Sequence, residues 1–292
     1  MAAAKVVITG GGGQLGRAFQ FVAARQDLPV EIFLFNRHEL DISDSYLTLQ
    51  ALHTLEPDVV INCAGYTAVE RAESEPQAAI EGNVTGPANL AGACKSIGAR
   101  LVHFSTDYVF DGEKTTPYKE TDTVHPLSVY GRSKWQGEEA IRQSGCEYLI
   151  LRTAWVFSPF GDNFVTKMVR MAAERPQLQV VNDQWGSPTY AVDLAEKVLQ
   201  LVAQVHERPW ISGLFHLTNS GAATWHDLAR EAVALSGHRT HVLPVSTDFF
   251  PSKVHRPAYS VMDCSFFEKT FGLRLRPWNE ALQHCIFQLK TL

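Results

Sequence analysis

The chain has 292 residues, 45% hydrophobic and 20% charged, with a formal net charge of −5. The balance is that of an ordinary globular protein. It argues against a polybasic nucleic-acid binder, and no apolar run approaches the roughly 20 residues of a membrane-spanning helix. An anionic substrate would have to meet a local positive site, not a global field.

The opening Met1-Ala2-Ala3-Ala4-Lys5 leads directly into an apolar run and lacks the charged-then-apolar pattern of a signal peptide, so a cytoplasmic protein is expected. Short apolar runs then recur at Val6–Ile8, Val30–Phe35, Val59–Ile61, Leu101–Phe104 and Tyr148–Leu151. Stretches of helical periodicity lie between them, as at Gln14–Arg25 and Ala88–Ile97. Near-continuous apolar strands alternating with helices predict an α/β fold with a buried, doubly wound parallel sheet. After residue 152 aromatics, prolines and glycines become frequent. Helical patterns return at Val192–Val205 and Thr224–Leu235, and Leu214–Leu217 reads as a further sheet strand. The stretch Val242–Pro257 is rich in Pro, Ser and Phe and reads as loop. The expected organisation is a main sheet domain over 1–155 that also receives about 190–218. A smaller, interleaved lobe covers 156–292. The five cysteines (Cys63, Cys94, Cys146, Cys264 and Cys285) form no C-x-x-C pair, so free thiols are expected.

The first strand is followed by Thr9-Gly10-Gly11-Gly12-Gly13-Gln14-Leu15-Gly16, a T-G-x-x-G-x-x-G run that opens a helix. Glycines let such a turn take positive φ and approach a pyrophosphate, and the helix N-terminus offers free N–H groups to the phosphates. This is a dinucleotide fingerprint in its required strand–turn–helix context, with Gly10, Gly13, Gln14, Leu15 and Gly16 as cofactor contacts. The second strand ends Phe35-Asn36-Arg37, with no acid to bind an adenosine ribose. Arg37 is placed to meet a 2′-phosphate, which favours NADPH and leaves NADH as the alternative. Asp41-Ile42 either edges the adenine, or Asp41 simply caps a helix starting near Ser43. The third strand ends Asn62-Cys63-Ala64-Gly65-Tyr66, where small residues leave room for the cofactor, and Asn83 is grouped with these residues.

The fourth strand ends Phe104-Ser105-Thr106-Asp107-Tyr108, and Tyr130-Gly131-Arg132-Ser133-Lys134 follows. Residues i and i+4 share a helix face. A lysine there is expected to lower the phenol's pKa and make Tyr130 a usable acid or base, with Thr106 orienting the reacting oxygen. Tyr130, Lys134 and Thr106 behind a dinucleotide fingerprint point to hydride chemistry at a secondary alcohol or ketone.

With these motifs the chain resembles the dTDP-4-dehydrorhamnose reductase family over nearly its whole length. The resemblance is carried by Gly13–Gly16, Ala64–Glu70, Ser105–Phe110, Val129–Lys134, Arg152–Val156 and Asp183–Thr189, with Trp225 and Arg256-Pro257 beyond them. It implies a Rossmann-type fold and NAD(P)H-dependent reduction of dTDP-4-dehydro-L-rhamnose at C4. Tyr130 would then be the proton donor, and Lys134 would bind the nicotinamide ribose. Thr106 and Asp107 would contact the sugar and Trp155 would pack against it, with Asn163, Gln184 and Thr189 lining the substrate side. Some members bridge subunits through a carboxylate-held metal. Arg17-Ala18 stands where one such carboxylate belongs, so no metal is expected, and the protein is read as a monomer or homodimer.

Neighbouring chemistries fit less well. A sugar-nucleotide 4,6-dehydratase needs a second acid after Asp107, where this chain has Tyr108. A 4-epimerase usually retains NAD, whereas Arg37 suggests an exchangeable NADPH. A reductase of another nucleotide-activated keto-sugar stays open. So does a non-catalytic, NADP-binding regulatory subunit resembling the methionine adenosyltransferase β subunit, although the intact Thr106, Tyr130 and Lys134 favour an enzyme.

Overall fold

The computed structural model describes residues 3–252 and 254–291. Met1 and Ala2, read above as part of the opening, lie outside these residues. The strands are β1 (Ala4–Thr9), β2 (Val30–Phe35), β3 (Val59–Asn62), β4 (Arg100–Thr106), β5 (Glu147–Thr153), β6 (Val156–Phe157), β7 (Gln177–Val181), β8 (Trp185–Gly186), β9 (Thr189–Tyr190), β10 (Gly213–His216), β11 (Ala223–Thr224) and β12 (His241–Val245). The helices are α1 (Gln14–Ala23), α2 (Ser45–Leu55), α3 (Val69–Ala72), α4 (Pro76–Ile80), α5 (Gly86–Ile97), α6 (Val129–Ser144), α7 (Phe164–Glu174), α8 (Ala191–Val202), α9 (Trp225–Ser236), α10 (Ser265–Phe271) and α11 (Trp278–Thr291).

Six strands form one sheet in the order β10-β5-β4-β3-β1-β2, and every pairing in it is parallel. Why the apolar runs are nearly continuous is plain from their packing. Val6 and Ile8 of β1 join Val102, Leu149 and Phe215 in a core under α1, α8 and α11. Val7 faces the other way and joins Val60, Leu101 and Ile150 under α2, α5 and α6. Each strand therefore feeds two cores, and a polar residue on either face is exceptional. The chain runs from β1 outward to β2 and then returns to the other side of β1 for β3. The crevice at the carboxyl ends of β1 and β3 is thus the topological switch point, where ligands of such sheets bind.

The expected extra strand is present as β10, which adds to the sheet beside β5. A second, smaller core of Met168, Ala172, Leu178, Val180, Ala229 and Val233 lies between α7, α9 and β7. One expectation fails here. The stretch beginning at Val242 is not all loop, because β12 pairs in parallel with β7 from His241 to Val245. Pro244 is tolerated because this is an edge strand of a two-stranded sheet. All five cysteines are free. Among the described residues no helix is long and apolar enough to cross a membrane.

Candidate active site

The turn between β1 and α1 is shaped for an anion. Gly10 has φ +72°, and a Cβ there would sit 2.5 Å from the backbone nitrogen of Ala64. A Cβ at Gly16 would sit 2.5 Å from the Gly10 carbonyl. Helix, turn and β3 therefore approach more closely than any side chain allows. Gly13 occupies the N-cap of α1 and no side chain caps that end, so its free N–H groups face outward past the exposed Gly12 and Gly13. An uncapped helix N-terminus in a glycine cradle fits the phosphates of a dinucleotide. Gln14 turns its side chain toward the loop after β6, where its Oε1 accepts from Ser158 Oγ at 3.0 Å. Leu15 packs at the edge of the core.

Beyond β2, Arg37 is 81% exposed and pairs with Asp41 at 3.3 Å. Asn36 uses its Oδ1 to accept from the backbone of His38 and Glu39. Of the two readings of Asp41, helix capping falls away. Asp44 is the N-cap of α2 and accepts from Leu47 N–H, while Asp41 accepts from the backbone and hydroxyl of Ser43. Ile42 is buried against Gly86 at the start of α5.

After β3, the Cys63–Tyr66 turn lies opposite the glycine loop. Burial pushes the Cys63 thiol far up. Asn83 is fully buried and clamps this turn. Its Oδ1 accepts from Tyr66 N–H at 2.9 Å, and its Nδ2 donates to the Tyr66 carbonyl and to Ser133 Oγ on α6.

The catalytic group assembles where β4 meets α6. Ser128 caps α6 by accepting from Gly131 N–H at 3.0 Å, which fixes the first turn that carries Tyr130. A Cβ at Gly131 would sit 2.2 Å from the Tyr108 carbonyl, so this helix end is pressed onto the end of β4. The Tyr108 and Tyr130 rings meet edge to face, 5.5 Å between centroids. Thr106 donates to Asp107 Oδ1 at 3.1 Å and accepts from Tyr108 N–H. Asp107 also accepts from Ser260 Oγ at 2.6 Å, and burial pushes its carboxyl up to about 6. Lys134 is buried, donates to the Phe104 carbonyl at 2.6 Å, and is lowered by burial to about 8.

One electrostatic expectation is reversed. Lysine proximity alone predicts a depressed phenol, but desolvation dominates and pushes the Tyr130 phenol up, with the nearby Thr106 hydroxyl opposing. Near neutral pH Tyr130 holds its proton. That is the form a proton donor needs.

The residues expected on the substrate side divide. Trp155 has φ +48°, rare for a non-glycine residue, and its ring stacks on Trp225 at 3.6 Å. A Cβ at Gly186 would meet Trp155 Cε2 at 2.3 Å, so a glycine is needed beside the ring. Gln184 is buried and donates to Thr247 Oγ1 at 3.0 Å, and Asp183 also binds Thr247. Thr189 is buried, its hydroxyl donating to the Ser187 carbonyl. Asn163 is the N-cap of α7 in a reciprocal capping box with Thr166. Its amide also donates to the Ser158 carbonyl, so the side chain is occupied locally.

Sequence reasoning missed the polar layer beneath the site. Arg152 on β5 makes a buried, two-bond pair with Glu138 on α6, and Ser105 also donates to Glu138. Asn62 and His103 are buried beside Lys134. Their signal was a charged or amide residue inside otherwise apolar strands. Among the described residues no group of three or more His, Cys, Asp or Glu could hold a metal ion.

A six-stranded parallel sheet with a glycine cradle at its switch point and a Tyr-x-x-x-Lys helix beside a strand-end Thr defines an extended short-chain dehydrogenase/reductase. Residues 4–291 match the family model described as the RmlD substrate binding domain, and the chain belongs to this family. It is 38% identical to the dTDP-4-dehydrorhamnose reductase of Sinorhizobium fredii, covering 98% of this chain and 97% of that one. The crystal structure of a dTDP-4-dehydrorhamnose reductase from Clostridium acetobutylicum superposes with a TM-score of 0.92 at 40% identity, covering 98% and 99% of the two chains. The corresponding enzyme from Bacillus anthracis, solved in complex with NADP, also gives 0.92, at 34% identity over 98% and 99%.

Proposed function

We propose that this protein reduces the C4 keto group of dTDP-4-dehydro-L-rhamnose to give dTDP-L-rhamnose, using NADPH. The observation that carries the reading is the placement of Tyr130 and Lys134 one turn apart on α6, with Thr106 and Asp107 hydrogen-bonded to each other at the carboxyl end of β4, in a chain of this family. The bound nicotinamide supplies the hydride. Tyr130 gives its phenolic proton to the oxygen that becomes the alcohol. Thr106, whose hydroxyl proton goes to Asp107 in the free chain, would turn that proton to the substrate oxygen. Lys134 presents its Nζ to the nicotinamide ribose. The turn at Gly10, Gly13, Gln14, Leu15 and Gly16 would hold the pyrophosphate. Asn36, Arg37, Asp41 and Ile42 would border the adenosine, and Cys63 to Tyr66 with Asn83 the opposite wall. Asp107, Trp155, Gln184, Thr189 and Asn163 would border the sugar nucleotide. For Asn163 this means backing the site through the α7 cap rather than touching substrate.

The same reading assigns 1–155 with about 190–218 to the cofactor domain and the rest of 156–292 to the substrate lobe. The placement of β10 in the main sheet supports it. It also assigns a cytoplasmic enzyme that works as a monomer or homodimer.

The test is the loss of reduced-nicotinamide absorbance when enzymatically made dTDP-4-dehydro-L-rhamnose is added to protein and NADPH. Oxidation with dTDP-L-rhamnose as product is expected. Tight NADPH binding with no oxidation of cofactor would sink the assignment and leave the regulatory-subunit reading.

Cofactor choice has its own test. Arg37→Ala is expected to weaken NADPH about tenfold, the size of one exposed charge-assisted contact, and NADH hardly at all. Titration of both cofactors by nicotinamide fluorescence checks it, and equal weakening of the two removes Arg37 from the 2′-phosphate.

A further inference from the structure

Thr9, Asn62 and His103 are register partners across β1, β3 and β4, and all three are buried on the sheet face that α6 covers. They form a hydrogen-bonded row that ends on Lys134. Asn62 Oδ1 accepts from Thr9 Oγ1 at 2.7 Å and from Ala64 N–H at 3.0 Å. Asn62 Nδ2 lies 3.0 Å from His103 Nδ1, and His103 Nε2 lies 3.4 Å from Lys134 Nζ.

The donors in this row can be assigned by elimination. A backbone N–H only donates, so the Asn62 atom facing Ala64 must be its oxygen. The Asn62 atom facing His103 is then the NH₂, which also only donates, and His103 Nδ1 must accept. Burial and the neighbouring Lys134 hold His103 neutral. A neutral imidazole carries one proton, and here it sits on Nε2, pointing at Lys134.

We propose that His103 is a positioning residue for the reduction: its Nε2–H, fixed in that tautomer by Ala64 and Asn62, favours the amine form of Lys134 over the ammonium form. This rests on the reading of Lys134 as part of the reductase site. An amine at Nζ accepts from His103 Nε2–H while still donating to the Phe104 carbonyl, 2.6 Å away. An ammonium keeps the Phe104 bond but sets N–H against N–H at His103. The other groups facing Lys134 act separately. Glu138, on α6, pulls toward the ammonium form. Tyr130, one turn back on α6, is held neutral by burial. Gly65 in the turn after β3 approaches Nζ and carries no charge. His103 thus acts with burial against Glu138, and together they keep both forms of Lys134 accessible near working pH.

The test uses nuclear magnetic resonance on the full chain with ring-¹⁵N histidine and ¹³C-labelled lysine. The wild-type His103 signal is expected to show a protonated Nε2 and a bare Nδ1. His103→Phe removes the opposing N–H and is expected to raise the Lys134 titration midpoint by about one pH unit. Asn62→Asp accepts from Ala64 on one oxygen and from the ring on the other. It should therefore move the ring proton to Nδ1 and raise the same midpoint. A wild-type ring protonated on Nδ1 overturns the proposal, as does a Lys134 midpoint that stays put in folded His103→Phe. If that variant does not fold, the wild-type tautomer and Asn62→Asp decide. None of these spectra needs substrate, so they decide the role of His103 even in a chain that fails to reduce the sugar nucleotide.

Discussion

Replacing Tyr130 with Phe is expected to lower turnover by about 10²–10⁴-fold while NADPH affinity stays within about twofold. The variant removes one oxygen and little else. Phe keeps the edge-to-face contact with Tyr108, and Ser128 still caps the helix turn that carries the residue. What disappears is the phenol one turn ahead of Lys134 on α6, and with it the proton for the new alcohol. Because burial keeps that phenol protonated, the wild-type rate should show no loss from Tyr130 ionisation as pH rises through the neutral range. Single-turnover oxidation of bound NADPH separates this step from binding. A variant that oxidises cofactor at the wild-type rate would remove Tyr130 from the proton-donor role.

The sheet was legible because its chemistry is repetitive. Strands covered on both faces must be apolar at successive positions, as Val6, Val7 and Ile8 are, and such runs stand out. The glycine cradle was legible for the opposite reason, since only glycine tolerates the approach of Gly10 to Ala64. β12 was missed because an edge strand needs few apolar residues and can hold a proline, as it does at Pro244. Asn163 reads as a ligand contact in the sequence, and the folded chain adds that its Oδ1 caps α7 and its Nδ2 donates to the Ser158 carbonyl, local bonds the sequence does not display. The Tyr130–Lys134 spacing was visible, but the balance between charge and burial was not. That balance depends on which atoms surround the phenol, and periodicity carries no record of it. His103 and Asn62 were overlooked because a polar residue inside an apolar strand has meaning only through its cross-strand partners.

Glu138→Gln is expected to cost about 3–5 kcal/mol of folding stability, because it leaves the Arg152 guanidinium buried without its counter-charge. Arg152 is 3% exposed and Glu138 1%, so water cannot take over the solvation. Both bonds of the pair, from Nε at 2.9 Å and from Nη2 at 2.6 Å, end on the carboxylate. Arg152 Nη1 already lacks a hydrogen-bond partner, and the Phe110 ring 5.2 Å away is no substitute for a counter-charge. Replacing both residues together, as Glu138→Leu with Arg152→Met, should recover much of the loss, since the cost lies in the unpaired charge and not in the absence of an ion pair. Urea unfolding of the single and double variants measures this directly. A double variant as unstable as Glu138→Gln would show that the pair itself, and not its desolvation, holds α6 to β5. The pair matters to the chemistry because of where it sits. Glu138 lies one helical turn from Lys134 and favours its charged form, and Ser105, which precedes Thr106, donates to the same carboxylate. In any Glu138→Gln protein that stays folded, Lys134 should therefore lose its proton at lower pH than in the wild type.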